Sequence, residues 1–303
     1  MTLEIPYESR DFPAIPPPRH GTLHVTWSDL IWAAITIGRP SKVEVFQHGT
    51  PSLYEALFRL SLIRMALQEG GWRSLHRTDA FSALDPTEKG MVSYFLGMTL
   101  CKLFASKLLD TDWLLHLDVY RPQINPQIRG RSRPDLVGKD SAGRWHGFEC
   151  KGRSSAPSAD DKQKAKAQAQ RLISVDGTAC TLHIGSFAYF RSEALTFFWR
   201  DPEPEEELEP IQLPTPREEW RHYYACALAL SSEADDPVLS QVREEADVQV
   251  SIHPEIRTLL MKGAWEEAHL LAIELRGELD EKGYRADGII IKGGPNWSRD
   301  ALV

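Results

Sequence analysis

Three side chains in this chain have types and spacing suited to chemistry: Asp135, Glu149 and Lys151. They sit in Arg133-Pro134-Asp135-Leu136-Val137-Gly138 and in Arg144-Trp145-His146-Gly147-Phe148-Glu149-Cys150-Lys151. Between the two runs lies Lys139-Asp140-Ser141-Ala142-Gly143, dense in turn formers, so the segment predicts a β-hairpin with a longer loop. With Leu136 facing Phe148, two apolar side chains meet on one face, and the same register sets Asp135 opposite Glu149 with Cβ atoms about 5 Å apart. Lys151, two residues beyond Glu149, stands on the same side, away from Phe148 and Cys150. Facing carboxylates repel. A lysine offsets part of that repulsion and a divalent cation offsets more. One or two carboxylates, with water and phosphate completing the shell, is the ligand chemistry of Mg²⁺ or Mn²⁺.

Pro134-Asp135 followed by Glu149-Cys150-Lys151 resembles the motif of the PD-(D/E)XK nuclease superfamily, over roughly residues 88–199. The resemblance implies an α/β fold: a restriction-endonuclease-like mixed central sheet flanked by helices. It implies metal-dependent hydrolysis of phosphodiester bonds, with Asp135, Glu149 and the Cys150 main-chain carbonyl holding Mg²⁺ or Mn²⁺ and with Asp135, Glu149 and Lys151 catalytic. It also points, by location, to Glu88 on the preceding helix and to Lys164 and Gln168 on the following one. Each of these has an ordinary reading beside it. Glu88 is a first-turn acid that suits the helix dipole, and Lys164 and Gln168 lie on a face rich in Lys and Gln that solvent would cover equally well.

The net charge of −8 is unusual for a protein that meets phosphates, but its distribution is uneven. Residues 120–171 hold twelve Lys and Arg against five acids, a local +7, leaving −15 for the remainder. Non-specific affinity for nucleic acid follows local positive charge. Arg129, Arg131, Arg133, Arg153 and Lys162 are the expected backbone contacts, which position a strand without reading its sequence. The expected partner is nucleic acid, with DNA the first choice. The expected activity is that of a DNA endonuclease, in restriction or antiviral defence by analogy with what such folds often do. The alternative is a catalytically silent module of the same fold that binds nucleic acid or a partner protein.

Cys101, Cys150, Cys180 and Cys226 are widely spaced, without a CxxC pair or a Cys/His cluster, which excludes a recognisable zinc site or disulfide framework and suggests a reducing compartment. No apolar run in the sequence approaches the about 18 residues of a membrane span, and the first residues are acidic and proline-bearing, unlike a signal peptide. The expectation is a cytoplasmic protein with no membrane partner.

The elements that must position the site follow from capping and periodicity. Residues 1–84 read as an extended, Pro-rich arm and a helical scaffold: a helix beginning near Thr26, a short strand over 42–46, and a helix from Ser52 ending at Gly70-Gly71. Residues 85–200 read as the nuclease-like core. Asp85-Pro86-Thr87-Glu88 is a strong helix start, and that helix runs to Leu109. Residues 112–120 predict the first core strand, 159–174 a helix, and 178–190 and 195–199 two more strands. Residues 201–216 are an acidic, Pro-rich linker. Residues 217–303 read as a small α+β lobe, with a helix over 217–231, strands over 248–252 and 285–292, and helices from Pro254 and over 264–282, suited to docking a partner protein or to self-association.

Overall fold

The computed structural model describes residues 2–12, 17–37, 50–117, 133–172, 174–175, 178–201, 219–231 and 237–297. Alternation of buried Leu3, Ile5 and Tyr7 with more open neighbours makes a strand of β1 (Leu3–Arg10), which pairs antiparallel with β2 (His20–Val25). The expected loose arm is therefore part of the main sheet: the alternation of its apolar residues outweighs the prolines beside them. Helix α1 (Trp27–Thr36) starts at a Thr26–Asp29 capping box. Helix α2 (Thr50–Ala66) ends before the expected Gly70-Gly71 stop, because residues 67–69 and 75–77 form a hairpin, β3 (Leu67–Glu69) and β4 (Leu75–Arg77). The expected strand over 42–46 lies outside the described residues.

After the short α3 (Asp79–Ala83) comes α4 (Pro86–Leu109), opened by the Asp85–Glu88 capping box and Pro86. Contrary to the expectation that no apolar run approaches a membrane span, its length and apolarity match those of one, yet 67% of its most apolar window is buried within the fold, as in a core helix. Next come β5 (Trp113–His116), β6 (Leu136–Lys139), β7 (Trp145–Arg153) and α5 (Ala159–Ala169). Then follow β8 (Ser174–Val175), β9 (Thr178–Ala179), β10 (Leu182–Arg191) and β11 (Ala194–Arg200). The strand expected over 178–190 is thus divided, and the helix expected to reach Ser174 stops at Ala169. The strand expected over 112–120 is shorter, and 118–120 lie outside the described residues, as do 202–218 with most of the expected linker.

The central sheet is mixed, in the order β2-β1-β11-β10-β7-β6-β5, with β3 and β4 attached at β11. Strands β5, β6 and β7 form an antiparallel meander, and β7 continues through α5 into β10, which lies parallel to it. Helix α4 covers one face of β7 and α5 covers the other. The first contact is very close: a Cβ at Gly97 would lie 2.6 Å from the Gly152 nitrogen, and one at Gly152 would lie 1.6 Å from the Ser93 carbonyl oxygen. On the opposite face, Gly185 lies under Lys166 and Ala165 of α5, and Gly147 lies under Leu172.

The C-terminal residues form α6 (Glu219–Leu230), α7 (Pro237–Ala246), β12 (Val248–Ile252), α8 (Pro254–Met261), α9 (Trp265–Glu274), α10 (Arg276–Glu281) and β13 (Ile289–Gly293). The long helix expected over 264–282 breaks at Leu275, and residues 285–288 make a turn before β13 instead of joining it. This part shares one continuous hydrophobic cluster with the sheet. Asp287 Oδ2 accepts hydrogen bonds from Trp32 Nε1 (2.7 Å) and from the Tyr223 hydroxyl (2.6 Å). Tyr223 also lies 3.0 Å from the buried Lys102 Nζ of α4.

The two kinds of glycine in and beside α4 predict opposite outcomes in urea denaturation. Gly152→Ala forces backbone apart and is expected to cost roughly 3 kcal/mol, the upper range for overpacking. Gly90→Ala, where an added methyl meets open space, is expected to gain about 0.5–1 kcal/mol from helix propensity. Equal effects at the two positions would refute the close approach of α4 to β7.

Candidate active site

Residues 140–144 set the hairpin. Asp140 Oδ1 accepts from the Ala142 and Arg144 amides at 3.0 and 2.8 Å, and Gly143 takes φ +79°, so the loop closes at one length. Leu136 then pairs with Phe148, Val137 with Gly147 and Lys139 with Trp145, the register expected from the apolar match. Extended by one residue, this register sets Asp135 across from Glu149. The Leu117 amide donates to the Asp135 carbonyl at 3.0 Å, and the Cys150 amide donates to Asp135 Oδ2 at 2.8 Å. A strand residue directs its N–H and C=O to the same neighbour, so the Cys150 carbonyl points to the edge where β6 has already ended.

Even-numbered residues of β7 face α4 and odd-numbered ones face α5, as Gly152 and Gly147 show by their neighbours. Glu149 and Lys151 are therefore under and beside α5. Glu149 has no exposed surface, and Lys151, whose side chain is 37% exposed, holds Glu149 Oε1 in an ion pair. Neither Glu149 oxygen has a hydrogen bond of normal geometry. Burial first, and then the charge of Asp135, push the Glu149 carboxyl up to about 8 against the opposing pull of Lys151. For Lys151, burial works downward, but Glu149 and then Asp135 outweigh it, and the ammonium is held more firmly than usual. The Cys150 thiol is buried facing α4, and burial raises its pKa well above the ordinary value; only its main chain serves the site.

The other expected residues divide. Gln168 reaches the site region: its Nε2 donates to the Arg133 carbonyl at 2.8 Å and ties α5 to the peptide that precedes Pro134-Asp135. Lys164 does not; it is 75% exposed and paired with Asp160 at 2.7 Å. Glu88 is exposed, and its Oε2 accepts from the Asp85 amide at 3.2 Å, so its capping role accounts for it. Arg153 is paired with Asp161 at 2.5 Å, and Lys162 Nζ lies 3.8 Å from the centroid of the Phe198 ring. Arg133 is half-buried at the entry to β6, and Arg129 and Arg131 lie outside the described residues.

Ser186 was not legible in advance. Its buried Oγ donates to the Glu149 carbonyl at 3.1 Å, from the position on β10 paired with Cys150. Only the register of the parallel β7–β10 pairing brings it there, and nothing local in the sequence specifies that register.

Whether this set suits a divalent ion follows from its donors. Two buried Glu149 oxygens, one of them paired with the Lys151 ammonium, a second carboxylate in register and a carbonyl on an open strand edge are all hard oxygen ligands, the set that Mg²⁺ or Mn²⁺ takes. Among the described residues no group of three His, Cys, Asp or Glu side chains gathers around one point. Main chain, water and substrate would have to complete the shell. Compared with protein-family models, with curated proteins and with solved structures, the chain matches none.

Glu149 gives a pH test on the metal-free protein. With its carboxyl raised from 4.5 to about 8, the folded state binds more protons than the unfolded chain between those values, so stability falls as pH rises through the window. Glu149→Gln removes this dependence. Its unfolding free energy relative to the wild type is expected to grow by on the order of 3 kcal/mol between pH 5 and pH 8 in urea melts with chelator present. Curves that stay parallel over that range would show that Glu149 ionises without penalty.

Proposed function

We propose that the chain is a metal-dependent nuclease of the PD-(D/E)XK type, a phosphodiester hydrolase acting on DNA. The observation that carries this reading is the β6–β7 register, which sets Asp135 across from Glu149 while Lys151 holds Glu149 on the same face. The run α4, antiparallel β5-β6-β7, crossover α5 and parallel β10 supports it, since that order is what the resemblance of the motif calls for.

Asp135, Glu149 and the Cys150 carbonyl are the residues that would hold Mg²⁺ or Mn²⁺. When bound, the ion would supply Lewis-acid charge at the scissile phosphate and lower the pKa of an attacking water. The chain's own residues do the rest. Lys151 keeps its proton at Nζ and, being partly open to solvent, directs that charge toward the water and toward the oxygens that gain negative charge in the transition state. Gln168 holds the Arg133 peptide and so keeps Asp135 at the end of β6. Arg133, Arg153 and Lys162 lie near the ends of β6, β7 and α5, where a phosphate backbone would pass.

A second reading, the silent binding module, is favoured by one observation: Glu149 has no exposed oxygen, and Lys151 already occupies it. The two readings part in one set of measurements. Plasmid, linear duplex, single-stranded DNA and RNA are incubated with Mg²⁺, Mn²⁺ or chelator. The nuclease reading expects metal-dependent cleavage that falls at least about 100-fold in Asp135→Ala, Glu149→Ala and Lys151→Ala. It also expects millimolar Mn²⁺ to raise the melting temperature of the wild type but not of Asp135→Ala. Binding of nucleic acid with no cleavage and no metal shift would select the silent module.

A further inference from the structure

The β3–β4 hairpin carries the most exposed aromatic side chain among the described residues. Trp72 is 97% exposed at its tip. The Ser74 amide donates to the Gly71 carbonyl at 3.3 Å, closing a turn whose two central residues are Trp72 (φ 58°, ψ 31°) and Arg73 (φ 60°). Both are left-handed, the combination of a type I′ turn, where Asn and Gly are the residues ordinarily found. Two glycines stand immediately before them, but neither takes a positive φ. The chain thus accepts backbone strain at two bulky residues and leaves the indole in solvent.

The hairpin is also stiffly held. Arg77 makes a two-pronged ion pair with Glu193, through Nε at 2.6 Å and Nη2 at 2.5 Å. Ser74 Oγ donates to the Gly71 carbonyl at 2.6 Å, and the Gly70 amide donates to the Ser74 carbonyl at 2.7 Å. Strain held rigidly at a surface tip points to a contact made there.

Sheet register locates the root of this finger. Arg153, at the end of β7, pairs with Tyr189; two residues on, Arg191 pairs with Ala194, and Ala194 pairs with His76 of β4. The hairpin therefore joins the sheet at the end where the strand bearing Lys151 stops. Three strand spacings and four residues along a strand put its root about 20 Å from Lys151, the length of about six nucleotides at the duplex rise. Arg73 beside the indole and Arg191 at the root are exposed cations, set against Glu69 on the hairpin, Glu4 bridged to Ser74 and Glu193 paired with Arg77, so Arg73 is the cation placed at the tip itself to meet a phosphate.

Resting on the nuclease reading, we propose that Trp72 and Arg73 form a strand-engaging finger: the indole stacks on an unpaired base of the substrate while Arg73 meets an adjacent phosphate. An aromatic face accepts any base, so this contact favours single-stranded or locally opened nucleic acid without choosing a sequence.

The test measures binding, with chelator present, of a labelled 20-nucleotide single strand and of its duplex by fluorescence anisotropy, beside thermal melting. Trp72→Gly suits the left-handed turn, so it is expected to keep or raise the melting temperature while weakening single-strand binding about tenfold. Trp72→Phe is expected to retain most of the binding, and Met261→Ala, an exposed apolar residue on α8, all of it. Unchanged single-strand binding in Trp72→Gly overturns the finger, as does a melting temperature that falls together with binding, since that would assign the indole to structure. Loss of adsorption to phosphatidylserine vesicles with strand binding intact overturns it in favour of a lipid surface. Wild-type protein that binds the strand through Trp72 but cleaves nothing with any metal supports the finger and removes the nuclease reading. Cleavage with Trp72 indifferent to binding does the reverse.

Discussion

A carboxylate removed from water beside a second carboxylate is the constraint around which this structure is arranged. An isolated buried charge is costly, and removing the partner of a buried pair typically costs about 3–5 kcal/mol. Here Lys151 offsets Glu149 from the solvent side, but burial and then Asp135 still dominate, and the carboxyl is pushed up to about 8. At neutral pH, taking up a proton is the cheaper way to relieve the crowded, buried carboxylates. The arrangement holds because β7 is gripped on both faces. Gly97 and Gly152 let α4 lie against its main chain, while Gly147 and Gly185 admit α5 over the strand that bears the acids. Larger residues at those points would lift a helix away and open Glu149 to water.

The far end of α4 is fixed by equally unusual chemistry. Lys102 is entirely buried, its Nζ 4.4 Å from the centroid of the Trp32 ring and within reach of the Asp112 carbonyl and the Tyr223 hydroxyl. Burial, opposed by Asp287 and Asp112, lowers its pKa to about 7. Residues from α1, α4, α6 and the turn before β13 therefore share one polar network. The C-terminal third is bound into the same core as the sheet, and α4 transmits its position to β7.

How much of this could be read in advance depended on distance along the chain. The hairpin was legible because its information is local: Asp140 to Gly143 make the turn, and Leu136 and Phe148 fix the register. The start of α4 was legible because Asp85, Pro86 and Glu88 each satisfy a helix-end requirement. Location alone left two readings open at other residues. Glu88 suits a catalytic acid or a cap, and the Asp85 amide three residues away decides for the cap; Lys164 is likewise claimed by Asp160 one turn earlier. Gln168, with no such neighbour in the sequence, reaches across to Arg133. A strand continuing the sheet after the crossover helix could be anticipated, but its register on β7 and the pairing of β1 with β11 were not legible, since nothing short-range encodes a parallel register. The prolines around β1 hid an alternation that becomes meaningful only once β11 lies beside it.

That last pairing has a kinetic side. Tyr7 lies against Phe197, so β1 must wait for about 190 further residues, on the order of 10–40 s of synthesis, before its parallel partner exists. During that interval Leu3, Ile5 and Tyr7 form a sticky ribbon shielded at best by β2. Nascent copies crowded on one message would be exposed to each other along this edge, and β1 is the strand a holding chaperone would shield during that wait.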